Sequence, residues 1–279
     1  MQVVTISVLD TCPLKCPSCY SNVSKNKMSY QDFKTIIDKL PSSVRDITLT
    51  GGEPFLLKDE LVKMTKYCAE TIAKPIVFSS GIVPDEKTIK GIAPNIISIH
   101  VTVKYPDSLD VIWKGHAKAH ENVIAFLTIC KKYNVKTYIH YCVDKNNSEY
   151  LSEMVEFGKK YSVAGIHVLR FLAFDKKDVD IVYNDAEWKL FCKRCDEYKD
   201  QVELKAPSCE ECLAGCTRMN ILTNGNVTGC IYLPGPAVGN IIKDSYKNIE
   251  KKLEVWRTPY GPDSACIARI EYDEAFSNE

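Results

Sequence analysis

The chain has 279 residues, with 36 basic and 36 acidic side chains, so its formal net charge is zero. This balance argues against a general nucleic-acid binder, because a phosphate partner demands a basic excess. The sequence contains no signal peptide and no apolar run of the roughly 18 residues that a membrane span requires. We therefore expect a cytoplasmic protein with no nucleic-acid and no membrane partner.

Apolar strands alternate with amphipathic helices over the first 200 residues. Strands are predicted near residues 3–9, 45–50, 75–79, 96–103, 136–143 and 165–172. Helices are predicted near residues 30–39, 60–71, 86–92, 119–133, 150–161 and 185–198. This repeated order predicts an α/β fold with a parallel sheet, either open or curled into a partial, TIM-like (β/α)6 barrel. The active loops would then lie at the carboxyl ends of the strands.

The pattern changes after residue 200. A short cysteine-rich segment, residues 206–216, precedes a hairpin predicted around Asn224-Gly225, a strong two-residue turn signal. One further helix is predicted near residues 245–256, before a tail that contains proline and glycine. We therefore expect a core domain of residues 1–200 and a small domain of residues 201–279, built from a β-hairpin and a helix.

Cysteine is the unusual feature of the composition, with 13 residues. In a chain of this size without a secretion signal, clustered cysteines are more often metal ligands than disulfide partners. Three of them lie within residues 12–19 and seven within residues 192–266. This distribution predicts two metal sites.

The first cysteine group, Cys12, Cys16 and Cys19, directly follows the first strand. Thiolates at this spacing in a loop can converge on one iron–sulfur cluster and leave one iron open. A zinc site is the alternative, although zinc prefers a closed set of four ligands. Buried, unliganded cysteines are a third possibility.

The spacing of this group, its position and the aromatic Tyr20 resemble the radical S-adenosylmethionine (SAM) superfamily. The segment LTGGEP, Leu49 to Pro54, follows the second strand, where that superfamily carries its glycine-rich SAM-binding turn. The resemblance covers about residues 1–175. It implies a [4Fe-4S] cluster on the three cysteines, SAM on the open iron, and a 5′-deoxyadenosyl radical that abstracts hydrogen from the substrate. A flavodoxin or ferredoxin would supply the electron.

The resemblance also indicates cofactor-binding side chains. Gly51 and Gly52 would let the backbone approach the amino group of SAM, Glu53 would add charge, and Pro54 would stiffen the turn. Ser79 and Ser80 end the third strand, where the family often places hydroxyl contacts to SAM, although ordinary turn serines are the alternative. All the cofactor-binding candidates are Tyr20, Gly51, Gly52, Glu53, Pro54, Ser79, Ser80, Lys114 and Arg170.

Two of these candidates have a weaker basis. The peptide-modifying branch often has SLDG and then Arg-Gly near the fourth strand, whereas this chain has SIHVTV and Lys114-Gly115, with Thr102 in place of the aspartate. Lysine keeps the charge of arginine but not its two-pronged geometry. Arg170 lies in an apolar strand and must find an anion or a carbonyl, either on SAM or the substrate or in a structural salt bridge.

The second cysteine group resembles the auxiliary-cluster extension of radical SAM maturases, whose short form is the twitch domain and whose long form is the SPASM domain. The length after Cys209 favours one auxiliary [4Fe-4S] cluster. Cys212 and Cys230 match the family phrase, Cys216 and Cys266 are the next candidates, and Cys209 competes with them. A zinc knuckle is the alternative, since four cysteines serve zinc equally well.

The remaining cysteines and the strand histidines have less certain roles. Cys192 and Cys195 lie on a predicted helix and are expected to be buried thiols. Cys68 and Cys130 are expected in the core. No catalytic residue is assigned, but Cys142 at the end of the fifth strand is a candidate hydrogen-atom donor, and Arg170 is a second candidate. Three histidines on predicted strands would either line the pocket or pack against helices: His100, His140 and His167.

These residues predict a radical SAM enzyme of the oxidoreductase or maturase type. Its favoured substrate is a peptide or protein side chain, and a small molecule in cofactor, sugar or natural-product biosynthesis is the alternative. A non-catalytic iron–sulfur or zinc protein is a remote third possibility. Because the chain starts at its first strand, we expect no fused leader-peptide recognition domain. A peptide substrate would then need a separate recognition protein or direct capture by the barrel.

Overall fold

The strands of the core are parallel and follow one another in the sheet. The computed structural model describes residues 1–17, 19–21, 24–206, 212–233, 235–261 and 264–277. The parallel strands are β1 (Val3–Leu9), β2 (Asp46–Gly51), β3 (Ile76–Ser79), β4 (Ser98–Thr102), β5 (Thr137–Val143), β6 (Gly165–Arg170) and β7 (Glu203–Lys205). Three short strands come after them: β8 (Arg218–Ile221), β9 (Asn226–Thr228) and β10 (Gly239–Asn240).

Helices connect the parallel strands and follow the hairpin. They are α1 (Tyr30–Lys39), α2 (Asp59–Thr71), α3 (Glu86–Ile92), α4 (Leu109–Lys114), α5 (Ala119–Lys132), α6 (Leu151–Lys160), α7 (Asp185–Asp196), α8 (Tyr246–Arg257) and α9 (Ile267–Ser277). Within the described ranges, no helix is both long and apolar enough to cross a membrane.

Alternating side chains divide the sheet into two faces. Along β4, Ile99 and Val101 are fully or nearly fully buried in the apolar core that includes the helices. The side chains that alternate with these two along β4 point to the opposite face of the sheet, because successive side chains of a strand alternate. That face lines the interior of the partial barrel, and it carries His100. The predicted α/β fold of partial-barrel type is thereby confirmed.

The element predictions for the core are confirmed, with bounds within two residues of those observed. Cys68 and Cys130 are buried in the core, as expected. Cys195 on α7 is also buried, and Cys192 is half-buried. Four short or terminal elements were not predicted from the sequence: α4, α9, β7 and β10.

The C-terminal hairpin continues the barrel sheet. The strand order is β10-β9-β8-β1-β2-β3-β4-β5-β6-β7, so β8 lies beside β1. The two strands are parallel, with Val3 opposite Arg218 and Ile6 opposite Ile221. The turn at Asn224-Gly225 then leads into antiparallel β9. The division of the chain at residue 200 remains a prediction, because the sheet runs across it.

Candidate active site

The first cysteine group lies in the loop after β1. The thiols of Cys12 and Cys16 are half-buried and that of Cys19 is exposed. Burial raises the pKa of Cys12 to about 11 and that of Cys16 to about 12, and each is raised further by the charge of a neighbouring thiolate of the group. In the metal-free chain these thiols are therefore protonated at neutral pH, and metal binding would release their protons.

The number of thiols bears on which metal this loop would hold. A closed zinc site uses four ligands, whereas the loop after β1 offers three thiols, those of Cys12, Cys16 and Cys19. Three thiolates can bind an iron–sulfur cluster and leave one iron open. The donor set after β1 therefore fits an iron–sulfur cluster better than a closed zinc site.

The glycine-rich turn after β2 packs directly against this loop. The Gly52 N–H donates to the Leu9 carbonyl at 2.6 Å, and the Glu53 N–H donates to the Thr11 carbonyl at 2.9 Å. A Cβ atom at Gly51 would lie 2.0 Å from the Leu9 oxygen, and one at Gly52 would lie 2.2 Å from the Thr11 oxygen. The role of these glycines in making room for the ligand stays a prediction. In the structure both glycines are needed for a second reason, because a side chain at either position would collide with the backbone of Leu9 or Thr11.

Glu53 is fully buried and joins the turn to the end of β3. Its Oε1 accepts from the Phe55 N–H at 3.1 Å and from the Ser79 hydroxyl at 2.9 Å. Its Oε2 accepts from the Ser80 N–H at 2.8 Å and from the Ser80 hydroxyl. Burial raises the pKa of Glu53, and these hydrogen bonds oppose the rise. Pro54–Leu57 form a 3-10 turn that starts at this carboxylate.

These contacts define what the two serines do in this arrangement. Both hydroxyls donate to Glu53 rather than pointing to open space. The carboxylate has several donors but no cation among its described hydrogen-bond partners. A bound ammonium group near Glu53 would compensate its buried charge. The turn therefore fits a ligand that carries a positive amino group.

Lys114 holds the cysteine loop against the ends of β3 and β4. Its ammonium group donates to the Ser80 carbonyl at 3.1 Å and to the Thr102 carbonyl at 2.9 Å. The Asp110 carboxylate lies 2.7 Å away, and both side chains of this ion pair are about 1% exposed. The backbone carbonyl of Lys114 accepts from the Lys15 N–H at 3.1 Å. In this arrangement Lys114 positions backbone segments, and three protein oxygens surround its charge.

Arg170 forms the structural salt bridge that was one of its two predicted alternatives. Its Nη1 lies 2.6 Å from Asp185, and its Nε donates to the Tyr183 carbonyl at 3.0 Å. The same carboxylate accepts from Arg269 of α9 at 2.8 Å. The guanidinium group thus joins the end of β6 to the start of α7. Its partners are protein groups, which fits a structural role better than cofactor binding or catalysis.

Tyr20 connects the two cysteine groups through aromatic contacts. It directly follows Cys19, and its ring packs edge-on against Tyr232 with 5.1 Å between centroids. Tyr232 comes two residues after Cys230. Phe174 contacts both rings, at 6.2 Å and 5.8 Å. Burial raises the pKa of Tyr20 to about 12, so the phenol is neutral at pH 7. The first cysteine loop and the C-terminal segment therefore pack on one another.

Part of the second cysteine group is brought together by the fold. The thiols of Cys212, Cys230 and Cys266 are close enough to interact electrostatically, and burial raises the pKa of Cys230 to about 11. Cys216 is exposed. Cys209 lies outside the described residues. The described part of the chain thus brings three of the predicted ligands together.

Cys142 lies on the interior face of β5, two residues after His140. Burial raises the pKa of its thiol to about 11, which keeps it neutral. Its carbonyl accepts from the Asn147 side chain at 3.0 Å, and that amide also donates to the Lys104 carbonyl at 3.0 Å. Asn147 is fully buried and ties the ends of β4 and β5 together.

A buried ion pair, missed in the sequence, lies beside this thiol. Lys104 and Asp144 pair with 2% and 3% of their side chains exposed. The ammonium group also lies 4.7 Å from the Phe171 ring centre and 5.5 Å from that of Trp113. Each charge stands at or just past the carboxyl end of a buried strand, and that placement was the signal available in the sequence.

Neutralising one member of this pair is expected to destabilise the protein strongly. Asp144→Asn leaves the Lys104 charge buried without its partner, and such a loss costs about 3–5 kcal/mol. Urea denaturation of the variant and the parent measures the difference. Asp59→Asn is the matched control, because its pair with Lys87 is 66% and 78% exposed. The control should unfold like the parent, and equal stability of both variants would contradict a structural role for the buried pair.

Known proteins are similar to this chain over nearly its whole length. The model of the Radical SAM superfamily matches residues 6–158. The sporulation killing factor maturation protein SkfB of Bacillus subtilis is 22% identical over 290 residues, which cover 97% of this chain and 70% of that protein. The AdoMet-dependent heme synthase of Methanosarcina barkeri is 21% identical over 291 residues, which cover 90% of this chain and 82% of that protein.

A solved structure has the same fold. The crystal structure of Streptococcus suis SuiB bound to the precursor peptide SuiA superposes with a TM-score of 0.73 at 17% sequence identity. The match covers 91% of this chain and 64% of the SuiB chain. The chain therefore spans slightly less than two thirds of SuiB, and the likeness concerns the fold.

Proposed function

Since the chain belongs to the radical SAM superfamily, it is an enzyme, and we propose that it modifies a side chain of a peptide or protein. The observation that carries this proposal is the extent of the similarity to the killing factor maturation protein. That similarity runs far past residue 158, through the second cysteine group. The shared fold with a peptide-bound enzyme supports the same substrate class.

The residues after β1 and β2 would hold the cofactors. Cys12, Cys16 and Cys19 would bind a [4Fe-4S] cluster, and the turn from Gly51 to Pro54 would position SAM beside it. When bound, the cluster and SAM would supply the radical chemistry that removes hydrogen from a substrate, and these residues would bind and orient them. Glu53 would face the amino group of SAM. Ser79, Ser80 and Lys114 would hold that carboxylate and the cysteine loop in place, with Tyr20 packed behind the loop.

The C-terminal segment would hold one auxiliary [4Fe-4S] cluster. Cys212, Cys230 and Cys266 are its proposed ligands, with Cys216 or Cys209 as the fourth. If protein thiolates ligate all four irons, the cluster would accept the electron that remains after hydrogen abstraction. With three protein ligands, one iron would be open to the substrate. The packing of Tyr232 on Tyr20 supports a position close to the first cluster.

Cys142 is the proposed hydrogen-atom donor for a reaction that returns a hydrogen atom to the substrate. A donor of this kind must carry its S–H hydrogen, and the raised pKa of Cys142 keeps the thiol protonated at neutral pH. Breaking the S–H bond would leave a thiyl radical, which one electron from the external electron donor and one proton would return to the thiol. The place of Cys142 on the interior face of β5 supports contact with a substrate in the barrel.

A small-molecule substrate is the second candidate function. It is supported by the similarity to the heme synthase, which also covers nearly the whole chain. The two candidates differ in what the barrel must admit, a peptide segment or one compact molecule. Both share the cofactor chemistry, so only a substrate assay separates them.

The test is hydrogen transfer from a defined peptide. The anaerobically reconstituted protein should cleave SAM slowly by itself. A short peptide found encoded next to its gene would be the substrate to test, and the protein should change the mass of that peptide. With that peptide deuterated on its side chains, deuterium is expected in 5′-deoxyadenosine, since the radical takes its hydrogen from the substrate. Mass spectrometry of peptide and nucleoside measures both. Transfer from a heme precursor, with none from the peptide, would favour the second candidate.

A further inference from the structure

Three of the five histidines meet inside the barrel, away from the cysteine loop. They lie on the neighbouring strands β4, β5 and β6 and share the interior face. His140 stands directly opposite His167 in the sheet register, and His100 is two residues before the partner of His140. One ring nitrogen of each lies within 4.8 Å of the other two. Neither cysteine group explains this gathering.

The orientation of the rings suggests a shared ligand. His100 Nδ1 and His140 Nε2 form a hydrogen bond of 2.7 Å, and His100 Nε2 forms one of 3.1 Å with the Ser98 hydroxyl. If the Nε2–H of His100 donates to Ser98, its Nδ1 accepts from the Nε2–H of His140, and a metal ion bound by both nitrogens would take the place of that proton. A hydrogen bond from the far nitrogen to a fixed oxygen is the usual way in which a metal-ligating histidine is oriented.

His167 provides a second, independent observation. Its Nε2 is buried and has no hydrogen-bond partner in the described part of the chain. Buried polar atoms without a partner are rare in folded proteins, and each one calls for a bound water, an ion or a functional explanation. Here the unpartnered nitrogen belongs to the same group as the other two imidazoles.

We propose that His100, His140 and His167 form a binding site for one zinc ion, separate from both cysteine groups. Imidazole nitrogen is a preferred ligand of zinc, with Zn–N distances of about 2.0–2.1 Å. In a tetrahedral site, two such nitrogens lie about 3.4 Å apart. The observed separations run from 2.7 Å to at most 4.8 Å, so small movements of the rings complete the site.

The surroundings of the three rings suit a neutral-ligand site. The Phe78 ring stacks on His100 with 5.2 Å between centroids, and Tyr138 packs on His167 at 4.8 Å. Burial lowers the pKa of all three imidazoles, that of His100 to about 3. The charges nearest to the rings are Lys205 and Glu203 on β7, which pair with each other at 2.6 Å.

Solvent reaches the site from one side. A cavity of about 640 Å³ borders His167 and is also lined by Leu169, Cys192, Lys193, Leu204 and Ala206. It can deliver the ion and a water molecule as the fourth ligand, which is the arrangement of zinc sites with three protein ligands. Bound there, the ion would tie β4, β5 and β6 together.

Zinc binding to the cluster-loaded protein tests the proposal. With both cysteine groups occupied by iron, the protein is expected to take up one zinc ion per chain without losing iron, as measured by elemental analysis after gel filtration. Zinc-edge X-ray absorption should show nitrogen or oxygen neighbours at about 2.0–2.1 Å and no sulfur at about 2.3 Å. Sulfur neighbours, or release of iron as zinc binds, would overturn the proposal.

Variants identify the ligands. His140→Gln and His167→Gln should each weaken zinc binding at least 100-fold, and Ser98→Ala should weaken it about 10-fold through loss of the orienting hydrogen bond. His116→Gln and His120→Gln are the matched controls from outside the group and should bind zinc like the parent. Circular dichroism without zinc checks that each variant folds. Because His167 is only half-buried, His167→Gln is expected to disturb folding the least. Parent-like binding by a folded His167→Gln protein would refute the site.

Discussion

Replacing Cys12, Cys16 and Cys19 together by alanine is expected to abolish the production of 5′-deoxyadenosine. The parent protein, with two thiolate sites, should hold about eight iron atoms per chain after anaerobic reconstitution, and the variant should hold about four. Without the first cluster the SAM-binding turn has no iron beside it to deliver an electron, so the remaining iron is not expected to rescue cleavage. Iron analysis and chromatography of the nucleoside measure the two effects.

The reciprocal variant makes this experiment selective. Replacing Cys212, Cys230 and Cys266 by alanine should also leave about four iron atoms, but SAM cleavage should persist. Turnover of the substrate should fall far more than cleavage. Cys192→Ala is the control, since this half-buried helical thiol is not a proposed ligand. A parent protein that never exceeds about four irons and binds stoichiometric zinc at the second group would disprove the auxiliary cluster.

Gly52→Ala is expected to remove both the first cluster and SAM binding. Its Cβ would lie 2.2 Å from the Thr11 carbonyl oxygen, which is a backbone atom and cannot rotate away. The substitution would push the turn from the cysteine loop and break the hydrogen bonds from Gly52 to Leu9 and from Glu53 to Thr11. SAM affinity by equilibrium binding and iron content should therefore fall together.

The control for this glycine is Gly235→Ala. Among the described residues, and apart from its chain neighbours, no atom lies within 4 Å of the position that a Cβ would take there. This variant should keep its iron and its affinity for SAM. A Gly52→Ala protein that binds SAM like the parent would show that the turn does not need its close contact with the loop. If the variant instead kept all of its iron but lost SAM binding, the result would indicate that Gly52 faces SAM itself.

Local patterns predicted most of the core. Alternating and helical apolar periods gave β1, α1 and α3 with the bounds that the structure has, because each of these elements buries a face of its own. The turn at Asn224-Gly225 was equally predictable, since its residue types favour the backbone conformation of a tight hairpin. The spacing of Cys12, Cys16 and Cys19 needed no tertiary information.

The contacts between these segments were not predictable from local sequence patterns, because most of them join residues that are distant in sequence. The distant partners of Glu53 are two serines at the end of the next strand, 26 and 27 residues away. The Asp110–Lys114 pair spans one turn of α4, a helix too short to show an apolar period. Its i,i+4 spacing of opposite charges was the one signal available. The partner of Arg170, Asp185, also follows from packing, because either a cofactor or a carboxylate could have satisfied an arginine in an apolar strand.

The position of β8 has a consequence for how the chain folds. Val3 of β1 has Asp46 beside it on one side and Arg218 on the other. During synthesis β2 covers one edge of β1 early, whereas the other edge stays open until the hairpin of β8 and β9 has been synthesised. Contacts between residues so far apart in sequence form slowly, and an open apolar edge can meanwhile pair with another chain. The hairpin that brings the second group of cysteines together therefore also completes the first strand, and a chain ended at residue 200 would keep an aggregation-prone edge.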